Sequence, residues 1–168
     1  DLKTKWGQGN PYNVYVPKVL DNKGKYVFAP VGCVAVSIEQ ILYYYHNKFG
    51  VPSSLNHGAR FIGNNNDAVF IPGENVENSP RWEQMAWSAD YDQEPTISTN
   101  YVAELFADLG DKLNMEYAFS GSEANTSVSV INKYGLNCDK GVFNASIVEQ
   151  NIRNELPVII TAYAKENV

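Results

Sequence analysis

Two cysteines and two histidines are the side chains in this sequence best suited to nucleophilic and proton-transfer chemistry. Cys33 follows Gly32 at the head of a segment where Val34, Ile38, Ile41, Leu42 and Tyr45 recur at helical offsets. That spacing predicts one apolar face of a helix ending near Asn47, ahead of Gly50 and Pro52. Cys33 then lies in the first helical turn, where unpaired backbone N–H groups and the helix dipole favour a thiolate. The same N–H groups can hold an oxyanion beside the sulfur. Gly32 lets a substrate approach the backbone without a side chain in the way. The bland alternative is a small buried thiol at an ordinary helix start.

A thiol nucleophile also needs an imidazole that takes its proton and later returns it to the leaving amine. His46 follows Cys33 by thirteen residues on the same helix, about 20 Å along an axis that rises 1.5 Å per residue. It reads as a structural histidine near the helix end. His57, in Asn56-His57-Gly58, falls in an irregular segment and is not expected to serve as the base. The chain is therefore expected to lack its base. Cys138, in Asn137-Cys138-Asp139, follows Gly135 away from any helix start, and no catalysis is expected of it. A Cys33–Cys138 disulfide in a structural domain stays open as an alternative.

The elements that must position Cys33 are mostly helical. Trp6 to Asn13 reads as an ordered loop rich in turn formers, and Asp21 to Lys25 as a turn. Residues 50–80 hold many Gly, Asn and Pro and read as a long irregular segment with a short strand at Ala68 to Ile71. Ser79-Pro80 predicts a helix start leading through Trp82, Met85 and Ala86. Val102, Leu105, Phe106 and Leu109 predict a helix over Tyr101 to Leu109 that Gly110 stops. Thr126 to Tyr134 reads as a helix ending at Gly135. Ser146 to Glu149 reads as a capping box opening a helix to about Glu155. Leu156 to Tyr163 reads as a buried strand, which needs partners from residues after Val168 or from another chain.

Bulk properties exclude several classes. The 168 residues suffice for one domain with a proper core, and 44% apolar with 19% charged residues fits a globular protein. A net charge of −6 argues against nucleic acid as a partner. Val31 to Tyr45 is too short and too polar to span a membrane. No cluster has metal-ligand spacing, and Gly7-Gln8-Gly9 lacks the strand and helix of a phosphate-binding loop. No metal or cofactor is expected. The polar start at Asp1 shows no signal peptide and suits a mature end left by processing.

Gln8-Gly9-Asn10-Pro11-Tyr12-Asn13, then Gly32-Cys33-Val34-Ala35 and the helix Gln40 to His46, resemble the streptopain family of secreted bacterial cysteine proteases with a papain-like fold. The likeness continues through Val102 to Gly110, Met115-Glu116-Tyr117, Ser120-Gly121-Ser122 and the segment entered by Pro157-Val158. It implies an α+β, papain-like fold. Residues 1–156 would form the mostly helical half and residues 157–168 the first strand of an antiparallel sheet completed beyond Val168. It implies that Cys33 is the nucleophile and that the Gln8 amide, with the Cys33 N–H, forms the oxyanion hole. Gly32, Ser120, Gly121 and Ser122 would border the substrate cleft. The family's catalytic His follows the strand begun near Pro157, in a stretch without counterpart here. It would come from residues after Val168 or from a second polypeptide. The resemblance implies a secreted or cell-surface endopeptidase, made as a zymogen, acting on proteins or peptides through a thioester acyl-enzyme. A non-catalytic papain-like binding domain, or an inactive protease fragment, is the competing reading.

Overall fold

In a computed structural model, residues 2–51, 60–62, 68–70, 82–91 and 93–162 are described. They fall into two compact units, Leu2–Cys138 and Asp139–Val168, each taken by itself.

Helix α1, Cys33–Phe49, opens at Gly32 (φ 93°) and closes at Gly50 (φ 71°), whose left-handed backbone returns an N–H to the His46 carbonyl. Its buried face is Ala35, Ile38, Glu39, Leu42 and Tyr43. This corrects the expected stripe. Val34, Ile41 and Tyr45 are only half-buried, and the ionisable Glu39 takes a core position instead. A hydrophobicity pattern places a carboxylate on the wet side by default, so the rotation of the face could not be read from residue types alone.

Helix α2, Ile97–Lys112, packs against α1. It begins four residues before its expected start, because Thr96 and Thr99 exchange side-chain-to-backbone bonds in a reciprocal cap. It also runs through Gly110 instead of stopping there. A Cβ at that glycine would lie 1.9 Å from the Tyr117 hydroxyl, so the residue serves close packing and not termination. Val102, Leu105, Phe106 and Leu109 are fully buried, as their spacing predicts.

Edge-to-face rings bind this pair to the amino-terminal segment. Trp6 meets Tyr43 at 5.2 Å and Phe106 at 6.1 Å, and Tyr12 meets Phe106 at 6.3 Å. The expected helix through Trp82 is a single 3₁₀ turn, Trp82–Gln84, whose indole stacks on His46 at 4.9 Å. Ser79-Pro80 lies outside the described residues.

The turn at Asp21 closes a hairpin the sequence pattern did not reveal. β1, Lys18–Leu20, pairs antiparallel with β2, Tyr26–Phe28, and Asp21 Oδ1 accepts the N–H groups of Lys23 and Lys25 at 2.8 Å. Three-residue strands are too short to show alternation. β3, Arg60–Ile62, pairs antiparallel with β4, Ala68–Phe70, the latter falling on the strand expected at Ala68 to Ile71. Helix α3, Val128–Lys133, is capped by the Ser127 hydroxyl, which accepts the Val130 N–H, and is followed by Gly135.

In the carboxy-terminal unit, α4, Ala145–Arg153, takes its cap two residues before the Ser146 expected from the capping box. Asn144 Oδ1 caps it by accepting the Ser146 and Ile147 N–H groups. No side chain of α4 is buried. Residues 157–162 form no strand among the described residues, and Tyr163 lies outside them. A strand exists only as part of a ladder, and the apolar run alone does not supply one.

Candidate active site

The sulfur-bearing residue stands where its neighbours predict. Cys33 is the first residue of α1 and is exposed, while the 17-residue helix behind it is anchored by the α2 packing. Its carbonyl accepts the Ser37 hydroxyl at 2.9 Å, one turn further on. Both cysteines are free thiols, so the disulfide alternative is overturned. Cys138 is half-buried, its N–H held by Asn132 Oδ1 at 3.1 Å.

Two segments converge on the residues just before the nucleophile. On one, the Val31 N–H donates to the Gln8 carbonyl at 2.9 Å, which fixes the exposed Gln8 beside the entry to α1. Asn13 holds the same entry from the other end, donating from Nδ2 to the Ala29 carbonyl at 3.0 Å. On the second, α2 hands the chain to Met115, whose N–H returns to the Gly110 carbonyl at 2.9 Å. Glu116 and Glu123 then exchange backbone bonds of 2.9 and 3.0 Å, which closes the Ser120-Gly121-Ser122 loop as a tight excursion. That loop meets Gly32. A Cβ there would stand 2.8 Å from the Met115 thioether and 3.1 Å from the Ser122 carbonyl. Gly32 is therefore demanded twice, by its positive φ and by this approach.

The fold thus brings Gln8, Gly32, Cys33 and Ser122 into one neighbourhood. Ser120 is exposed and Gly121 half-buried, whereas Ser122 is 5% exposed with no hydrogen-bond partner for its hydroxyl among the described residues. What Ser122 offers towards Gly32 is its backbone carbonyl. Met115, which packs against Gly32, enters the sequence reading only through the family resemblance. Nothing in its own pattern marks it, since a lone Met in a polar stretch carries no periodic signal.

His46 is not with them. It lies in the last turn of α1, stacked on Trp82, with Nε2 3.5 Å from Glu83. His57 lies outside the described residues. Among the described residues no group of three or more His, Cys, Asp and Glu could hold a metal ion, and no helix is long and apolar enough to cross a membrane.

A buried ionisable group lies deeper in α1. Glu39 is wholly inaccessible, and neither carboxylate oxygen has a hydrogen-bond partner among the described residues. Burial, with the charge of Asp108 nearby, holds its carboxyl well above the usual range. Asp108 itself is 3% exposed and accepts the Tyr134 hydroxyl at 2.7 Å and the Lys112 ammonium. Burial pushes the Tyr12 phenol up to about 12, and Glu39 adds to the effect.

The arrangement has relatives. Residues 6–167 match the model of the peptidase C10 family. Streptopain from Streptococcus pyogenes is 29% identical over 131 residues, which cover 73% of this chain and 32% of streptopain. Among solved structures, active wild-type interpain A cysteine protease from Prevotella intermedia matches at TM-score 0.52 and 27% identity, over 80% of this chain and 53% of that one. A prointerpain A fragment from the same organism matches at TM-score 0.55 and 26% identity, over 78% of this chain and 40% of that one. The chain spans about a third of the curated relatives it matches and about half of the interpain A chain. Its helices and small antiparallel sheets make it α+β, its solved neighbours are papain-like, and the chain belongs to the peptidase C10 family.

Proposed function

We propose that this chain carries the nucleophile of a cysteine endopeptidase, with Cys33 attacking the peptide carbonyl to form a thioester acyl-enzyme. The observation that carries this reading is an exposed thiol at the positive end of a long, anchored helix, with Gln8 tied by backbone to the same helix entry. The Gln8 amide and the Cys33 N–H stabilise the oxyanion, and the acyl side of the substrate lies along the Ser120–Ser122 loop. The general base is a histidine after Val168, because His46 sits about 20 Å along α1 from the sulfur and is engaged with Trp82 and Glu83. The longer relatives leave room for it in the same polypeptide, after Val168. Nothing favours a second chain as its source. The substrates are proteins or peptides. A secreted or cell-surface location, with maturation from a zymogen, accords with bacterial protease relatives and with the likeness to prointerpain A.

Alkylation by iodoacetamide at pH 7, followed by peptide mass mapping, tests the reading. In the full-length protein Cys33 should react at least about tenfold faster than Cys138, as expected for an exposed nucleophile paired with its general base. Cys33→Ala should abolish hydrolysis of casein. Equal, slow labelling of both thiols would overturn the enzyme in favour of a papain-like binding domain.

A further inference from the structure

We propose that Tyr91 contacts the substrate on the leaving-group side of the cleft, receiving an apolar or aromatic side chain beyond the scissile bond. The proposal rests on the reading of Cys33 as an endopeptidase nucleophile and extends it to a part of the chain that no sequence motif marked.

Residues 86–91 and Gln93 lie beside residues 5–10 and are fastened to them at three points. The Lys5 N–H donates to the Trp87 carbonyl at 2.8 Å, the Trp6 indole N–H to the Ala86 carbonyl at 2.7 Å, and Asn10 Nδ2 to the Gln93 carbonyl at 2.8 Å. Between the last two, Asp90 and Gln93 close a turn. The Gln93 N–H donates to the Asp90 carbonyl at 3.1 Å, and the Asp90 N–H to Gln93 Oε1 at 3.2 Å. Tyr91 projects from this pinned turn and is 84% exposed.

Its location is specific. A Cβ on Gly9 would stand 4.0 Å from Tyr91 Cε2, so the ring edge lies against the backbone next to Gln8. Gly7, on the other flank of Gln8, has open space where a side chain would be. Gly7 and Gly9 therefore flank Gln8 with backbone free of side chains, and the edge of one aromatic ring lies against Gly9. The acyl half of a bound peptide follows the Ser120–Ser122 loop and places its carbonyl at the Cys33 N–H and the Gln8 amide. The residues after that carbonyl pass over these glycines and meet Tyr91. A phenol ring suits this role, because it offers a rigid apolar face at small entropic cost and a polar tip that stays wet.

The test compares two substrates in the full-length protein. One is a peptidyl aminomethylcoumarin amide that ends at the scissile bond. The other is an internally quenched peptide of the same acyl sequence, continuing for several residues with Phe after the cut. In Tyr91→Ala the ratio of kcat/KM for the long substrate to that for the short one should fall about five- to tenfold, the size of one lost aromatic contact. Tyr91→Phe should restore the ratio. An unchanged ratio in Tyr91→Ala overturns the inference, as does a parallel loss on both substrates. Failure of the protease reading looks different: the unsubstituted protein would hydrolyse neither substrate and Cys33 would resist alkylation, which removes the ground for this inference as well.

Discussion

At position 32 the side chain is a single hydrogen, and both the backbone angle and the surroundings require it. A methyl group there would be forced against the Met115 thioether at 2.8 Å while the backbone is held at φ 93°. Gly32→Ala should therefore lower stability by about 1–3 kcal/mol from the strained φ. It should also slow Cys33 alkylation, because relief comes most easily by shifting the helix start. Urea unfolding and the alkylation rate measure the two effects, and a variant as stable and as reactive as the parent would contradict the geometry. This residue shows what was legible at the smallest scale. Gly-Cys at a helix head and the remoteness of His46 follow from residue types and linear spacing. The Met115 contact and the convergence of Gln8 with Ser122 do not, since they join residues more than eighty positions apart in sequence. The burial of Glu39 is illegible for a different reason: a lone carboxylate in an amphipathic pattern carries no signal of burial unless its neighbours in space are known.

Helix α2 carries the polar cluster that links the two long helices to α3. Asp108 is nearly inaccessible, yet it receives the Tyr134 hydroxyl from the residue just past α3 and the Lys112 ammonium from its own next turn. A buried charge of this kind is tolerable only with its donors in place. Tyr134→Phe keeps the ring and removes one donor, so it should destabilise the fold by about 1.5–3 kcal/mol, the range for a hydrogen bond to a charged group. Thermal or urea melting would show it, and a loss below about 0.5 kcal/mol would mean that Lys112 or water takes over the bond. The two long helices were readable because each shows at least two turns of apolar periodicity, and α4 was readable from its capping residues. Their ends were less so. Thr96, Ser127 and Asn144 set three starts through side-chain caps, and Gly110 passes inside a helix where isolated glycine usually signals a stop. The hairpin of β1 and β2 was hidden because three residues per strand cannot establish a period.

At the scale of the whole chain, the titration of the core sets how stability responds to pH. Glu39 keeps its proton in the folded state at pH values where the unfolded chain, with an ordinary carboxyl near 4.5, has released it. Folded protein then binds more protons than unfolded protein, so stability must fall as pH rises. The stabilisation is complete below about pH 4.5, is lost progressively above it, and levels off once the folded carboxyl ionises. One such group gives a slope of at most about 1.4 kcal/mol per pH unit. The Tyr12 phenol, raised to about 12, adds a second decline that begins where free tyrosine ionises near 10.0. Ordinary hydrogen-bonded carboxylates push stability the opposite way, towards loss in acid, so the sign is diagnostic. Urea midpoints at half-unit steps from pH 5 to pH 8 should drift downward for the unsubstituted chain. In Glu39→Gln, which mimics the protonated carboxyl and cannot ionise, the drift over that range should flatten. Because Glu39 stands on the same helix as Cys33, two turns in, the helix that presents the nucleophile rests on a carboxyl that must stay neutral. A wild-type drift that persists unchanged in Glu39→Gln would show that some other group holds the extra proton.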